Sequence, residues 1–181
     1  MKKFELTNEF ITNMFGTKLF RIRALVEFGD VEAGELGGYV EKESNLGHDD
    51  NAWVYDNAWV YGNAWVYGDA QVSGDARVYG NARVYGNAWV YGNALVCSDE
   101  DYAYAHGFGS VNRTTTFFRL KDGGVGVRCG CFYGTLAQFR DKIRETHGET
   151  KKAQEYLMLA DLMELRFEED ENEVGNRKYV E

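Results

Sequence analysis

Proline is absent from this chain of 181 residues, where average usage of about 5% would place roughly nine. No apolar run approaches the ~20 residues of a membrane span, so no membrane association is expected. The opening Met1-Lys2-Lys3-Phe4-Glu5 has no apolar stretch of the kind that begins a secretory signal. Cysteine is scarce and odd in number (Cys97, Cys129, Cys131), which does not suit a secreted disulfide framework. A soluble protein of a reducing, cytoplasmic compartment is the expectation. Positive charge is also short: 20 Lys+Arg face 29 Asp+Glu, for a net charge of -9. Phosphate attraction dominates nucleic-acid affinity, so no direct nucleic-acid binding is expected. The acid gathers in residues 30–50 and in the tail Glu168-Glu169-Asp170-Glu171. It reads either as solvation or as a surface that docks on a basic partner.

Glycine and aromatic residues are plentiful instead, with 21 Gly and 15% Phe, Trp and Tyr. Much of this lies in a six-residue period. From Asn51 to Ser98 the chain reads NAWVYD, NAWVYG, NAWVYG, DAQVSG, DARVYG, NARVYG, NAWVYG, NALVCS. Ala holds the second place and Val the fourth in all eight units; Asn or Asp always holds the first. Ala-x-Val-Tyr alternates as a short strand, with Ala and Val to one side and x and Tyr to the other. Gly followed by Asn or Asp is a corner, since these residues tolerate positive φ. A meander of tiny hairpins would have no reason to keep every strand identical. A solenoid with three strands per coil, 18 residues per turn, needs such a fixed Ala/Val core and buries it by stacking.

Residues 36–47 fit the same frame, followed by two extra residues, His48-Asp49, placed as a bulge at a corner. The frame decays at Asp99-Glu100-Asp101, where Glu100 would occupy an inward position at high cost. Upstream, residues 17–28 alternate as a strand, with Phe20, Ile22, Ala24 and Val26 on one face and Leu19, Arg21, Arg23 and Leu25 on the other. With Phe4, Phe10, Ile11, Met14 and Phe15 it can cap the open core. Downstream, Thr114–Leu120 and Val125–Cys131 read as a hairpin around Lys121-Asp122-Gly123-Gly124. Thr135 and Gln138 form a capping box for a helix that carries Leu136, Phe139, Ile143 and His147 on one side and stops at Gly148. Thr150 caps a second helix with Ala153, Tyr156, Leu157, Ala160 and Met163 at helical spacing.

The Val/Ala pairs four residues apart, such as Val54/Ala58 and Val60/Ala64, resemble the hexapeptide repeat of left-handed parallel β-helices. Tyr commonly stands here where that pattern prefers a small or acidic residue. The resemblance implies a mainly β fold: a short single-stranded left-handed parallel β-helix with a small α+β (ββαα) C-terminal module. The organisation expected is an N-terminal cap over 1–35, the β-helix over 36–103 and the C-terminal module over 104–181. CGCFYGTLAQFRDKIRETHG and KLFRIRALVEFGDVEAGELGGYVEKESNL resemble uncharacterised bacteriophage and prophage proteins, which implies residence in a bacterial host cell and brings no established activity.

Residues 18 apart stack, so the x positions form the ladders Trp53–Gln71–Trp89, Trp59–Arg77–Leu95 and Trp65–Arg83. The Tyr places form Tyr55–Ser73–Tyr91, Tyr61–Tyr79–Cys97 and Tyr67–Tyr85. Trp59 with Arg77 and Trp65 with Arg83 are placed for cation–π contacts. All four Trp point away from the Ala/Val core. Stacked ladders of this kind stabilise a thin solenoid; contiguous exposed aromatics also mark interfaces. The candidate protein-binding residues are therefore Trp53, Trp59, Trp65, Trp89, Tyr55, Tyr61, Tyr67, Tyr79, Tyr85, Tyr91, Arg77 and Arg83. The resembled family commonly packs as trimers, which implies a homo-oligomer, dimer or trimer, ahead of a host protein. A sugar platform would need polar groups beside the rings.

Hexapeptide-repeat proteins are often acyltransferases acting on CoA thioesters or nucleotide sugars, and some are metal-dependent carbonic anhydrases. Either chemistry wants histidine on a coil. His48, His106 and His147 all lie outside Asn51–Ser98, so several ligands from adjacent coils are not available. His48 or His106 as general base keeps an acyltransferase open. Cys129-Gly130-Cys131 is C-x-C rather than the C-x₂-C of zinc sites, and reads as packing in the hairpin, or as a metal site with Cys97 or His106. No catalytic residue, metal or cofactor is assigned. The expectation is a non-enzymatic binding or scaffold protein that occludes a host protein, a defence component among them.

Overall fold

A computed structural model of the chain describes residues 1–168; the tail from Glu169 onward lies outside the described residues. The repeat folds as a β-solenoid of about three turns. Its strands are β4 (Trp53–Val54), β5 (Trp59–Val60), β6 (Trp65–Val66), β7 (Gln71–Val72), β8 (Arg77–Val78), β9 (Arg83–Val84), β10 (Trp89–Val90) and β11 (Leu95–Val96). Every third strand pairs in parallel with an 18-residue offset, as Trp59 with Arg77 and Val60 with Val78. Backbone N–H groups donate across the coils, for example Trp59 to Ala76 O at 2.9 Å and Tyr55 to Val72 O at 2.8 Å. The Val and Ala columns are buried from end to end.

The corners turn where the unit ends. Gly80 has φ +64° and an added Cβ would lie 2.5 Å from Cys97 O on the next coil, so only glycine fits. Asp56 closes the first NAWVYD unit at φ 53° without glycine and puts its carboxylate to use, accepting the Gly74 N–H at 3.1 Å. The first-position side chains bond along the stack, Asn51 Nδ2 to Asp69 at 2.8 Å and Asn63 Nδ2 to Asn81 at 3.2 Å. Such ladders pin the register at two of the three edges.

The frame does begin upstream. Strand β3 (Leu36–Val40) lies beneath β5, with Tyr39 opposite Trp59 and Val40 opposite Val60. The offset there is 20 residues, as two inserted residues require. Strands β1 (Phe4–Thr12) and β2 (Lys18–Ala24) extend the same sheet antiparallel, giving the order β1-β2-β3-β5-β8-β11. Phe4, Ile22, Ala24 and Val31 close the open end of the core. The expected alternation of β2 holds at Ile22 and Ala24 and breaks at Leu19, which is fully buried, while Phe10, Met14 and Phe15 stay exposed.

Side chains replace the missing coil at that end. Lys3 Nζ donates to Ala52 O at 2.8 Å and Asp50 O at 3.2 Å, and sits 4.6 Å over the Phe28 ring. Its burial pulls the ammonium pKa down to about 8. Asn45, wholly buried, donates to Ala64 O at 2.8 Å and Gly62 O at 3.2 Å. His48, in the insertion, stacks on Phe4 with centroids 4.4 Å apart and accepts the Lys3 N–H at 3.2 Å.

At the other end stands a four-stranded antiparallel sheet of β12 (Tyr102–Phe108), β13 (Arg113–Arg119), β14 (Val125–Cys129) and β15 (Phe132–Thr135). The expected hairpin is β13–β14; the flanking strands are additional, so the module is ββββαα. Helices α1 (Leu136–His147) and α2 (Lys151–Phe167) follow, capped by Thr135 with Gln138 and by Thr150 as the spacing indicates. Strand β13 alternates between two cores. Phe118 and the following Leu120 cover the last coil, whereas Phe117 packs with Phe139, Tyr156 and Ala160 of the helices. Both ends of the Ala/Val core are thereby closed.

Candidate functional site

The solenoid is a three-sided prism, and its caps treat the three sides differently. On the β4–β7–β10 side the N-terminal cap takes Trp53. That ring is fully buried, edge-on to Phe28 at 5.3 Å and to Phe4 at 6.2 Å. An added Cβ on Gly37 would meet it at 2.8 Å. Trp53 therefore offers no surface, contrary to its place among the candidate contacts: it points out of the repeat core and into the cap. Trp89 is taken from the opposite end. Its N–H donates to Thr116 Oγ1 at 2.9 Å, its Nε1 to Ser73 Oγ at 2.8 Å, and Arg128 lies 4.0 Å over its ring. Tyr91 packs edge-on against Tyr133 at 4.9 Å, and Tyr55 is half-buried.

On the β5–β8–β11 side, Arg77 lies 4.4 Å over Trp59, as the ladder predicts. Tyr61 and Tyr79 stack at 5.2 Å with planes 7° apart. Burial, with Cys97 adding to it, pushes the Tyr79 hydroxyl up to about 12, so it stays a donor.

The β6–β9 side carries the most exposed rings of the repeat. Trp65 is 42% and Tyr85 41% exposed. Trp65 stacks on Tyr67 at 4.0 Å, Tyr67 on Tyr85 at 5.3 Å, and Tyr85 meets Tyr104 and Tyr102 edge-on at 6.2 and 6.4 Å. Five rings thus form one continuous track from the middle of the prism onto β12. The expected Trp65–Arg83 cation–π contact is not made. Arg83 turns to Asp99, which ends the repeat: its Nε donates to Oδ2 at 2.9 Å, and its N–H to Oδ1 at 2.7 Å. A charge-assisted bond outcompetes an exposed cation–π contact of about 0.5–1 kcal/mol.

The track ends in a cleft of about 250 Å³ lined by Tyr85, Asp99, Tyr102, Tyr104 and Arg166. Tyr102 anchors it, donating to Arg83 O at 2.7 Å; burial drives its pKa far above the usual phenol. Tyr102, Tyr104, Asp99 and Arg166 are site residues that the repeat does not announce. The alternation Tyr-Ala-Tyr-Ala at 102–105 signals the two tyrosines and the decay of the frame marks Asp99, whereas nothing in the spacing points to Arg166.

The histidines are spread apart. His48 sits in the cap, His106 Nδ1 lies 2.9 Å from Thr114 Oγ1, and His147 stacks on Tyr156 at 5.9 Å. Cys129 is buried, 3.2 Å from Thr115 Oγ1, whereas Cys131 is exposed beyond Gly130 at φ +59°. Strand β14 stops between the two thiols, so they do not share a face as unbroken alternation predicts. Among the described residues no three of His, Cys, Asp or Glu gather as metal ligands.

Comparison with known families bears on the solenoid alone. A search of curated proteins found no match. Residues 50–69, 70–86, 76–92 and 82–98 each match a family model, so that over 50–98 the chain is similar to the YdcK beta solenoid repeat.

Proposed function

We propose that the protein is a non-enzymatic scaffold that binds other proteins through the aromatic track of its β6–β9 side. One observation carries this reading. The N-terminal cap buries Trp53 and the C-terminal sheet holds Trp89 partly buried, while Trp65 and Tyr85 keep two-fifths of their surface in water within a five-ring array. Large contiguous aromatic surface is costly to hydrate and is typical of interface centres. A second copy of the chain is the first occupant in this reading. Occlusion of a host protein, a defence component among the candidates, is its biological role, with the likeness to phage and prophage sequences as support.

The test is a Trp65→Ala/Tyr85→Ala variant, checked by circular dichroism and compared with wild type in affinity capture from a bacterial lysate and in light scattering. Loss of both captured partner and self-association with an unchanged spectrum supports the reading. Retention of both ends it.

A further inference from the structure

The β4–β7–β10 side carries a second feature, lined by residues other than those of the aromatic track. Between the turn at Gly29-Asp30 and the start of β10 runs an open trough of about 440 Å³, within the range of small-ligand sites. Gln71 lies midway along this side, between the ladder positions of Trp53 and Trp89. Tyr55 and Trp89 supply aromatic surface, and Asp30, Asn51 and Asp69 add carboxylate and amide groups. Asn51 and Asp69 are held together by their 2.8 Å hydrogen bond. Trp89 is fixed by Ser73 and Arg128, so its ring does not have to be ordered on binding. The polar groups beside rings that a sugar platform requires are thus present here, although the ladder sequence alone does not show them.

We infer that this trough binds a neutral oligosaccharide. The chemistry selects that class. Carboxylates and amides serve hydroxyl groups as both acceptors and donors, and aromatic rings receive the apolar faces of pyranose rings. Two carboxylates, Asp30 and Asp69, line the trough and no Lys, Arg or His does, Arg128 beside it being engaged on the Trp89 and Tyr91 rings; this disfavours phosphates, CoA thioesters and nucleotide sugars. The assignment is independent of the protein-binding face, from which it differs in side, residues and charge.

The experiment titrates the full chain with cellohexaose, chitohexaose and maltohexaose, with CoA as anionic control, read by tryptophan fluorescence and backbone amide NMR shifts. The expected result is saturable binding of at least one hexasaccharide at millimolar concentration or below, with shifts at Tyr55, Gln71 and Trp89 and none for CoA at these residues. Gln71→Arg is the blocking variant. The same x position carries Arg77 and Arg83 in neighbouring units, so the fold accommodates it. It should weaken binding by about tenfold or more, the loss of roughly one good hydrogen bond, while Met158→Ala, at an exposed position of α2, leaves binding unchanged. Absence of shifts with all three sugars, shifts confined to Tyr67 and Tyr85, or equal binding by Gln71→Arg would overturn the assignment.

Discussion

Arg119 Nε meets Asp101 Oδ1 at 3.4 Å with both side chains almost wholly buried, at the seam between the last coil and the C-terminal sheet. The other oxygen of Asp101 accepts the N–H groups of Cys97 and Ser98, each at 3.0 Å. One carboxylate thus finishes the solenoid and ties it to β13. Removing one partner of a buried ion pair costs about 3–5 kcal/mol, because the other charge is left without compensation. Asp101→Ala should lower urea-measured stability by that amount. A loss below about 1 kcal/mol, the range of a surface pair, would contradict this role.

Corner glycines should differ by what stands above them. Gly16 and Gly80 both have positive φ, but nothing lies within 4 Å of a Cβ at Gly16, whereas one at Gly80 would be 2.5 Å from Cys97 O. Gly16→Ala should cost about 1 kcal/mol, the left-handed penalty alone. Gly80→Ala adds a backbone clash and should cost at least twice as much in the same thermal or urea titration.

Lys3 makes a prediction about pH. Its folded pKa of about 8 lies below the ordinary 10.5 because burial penalises the charge. Below pH 8 both folded and unfolded chains carry the proton, and the fold bears the full penalty, about 3 kcal/mol at 1.36 kcal/mol per pKa unit. The penalty fades as pH rises from 8 towards 10.5. Tyrosines such as Tyr79, raised to about 12, act the other way above pH 10. Comparison with Lys3→Met isolates the lysine: wild type should gain stability relative to the variant between pH 8 and 10. NMR of the lysine side chains should show one titration near 8 that vanishes in the variant.

How far the sequence reveals this molecule depends on whether neighbours repeat. Val60 faces Val78 because both stand in the same place of the same unit, so strand, register and core follow from period alone. Thr135 and Thr150 cap their helices through local spacing and are equally legible. Trp53 is different. Its unit differs from that of Trp59 only in the closing residue, Asp56 for Gly62, and the folding back of Phe4 and Phe28 separates a buried ring from a half-buried one. Arg83 likewise matches Arg77, but Asp99 lies within its reach. Strands β12 and β15 escape notice because Tyr102–Phe108 mixes small and aromatic residues and Phe132–Thr135 is very short. Non-repeating ends, through contacts distant in sequence, decide which side of the prism remains available.

The account rests on that available side, and light scattering across a concentration series tests it most directly. Wild type should exceed the 20.6 kDa of one chain as concentration rises, and Trp65→Ala/Tyr85→Ala should remain at 20.6 kDa with an unchanged circular dichroism spectrum. Wild type that stays at 20.6 kDa throughout, or a double variant that associates as wild type does, would contradict the aromatic track as the binding surface.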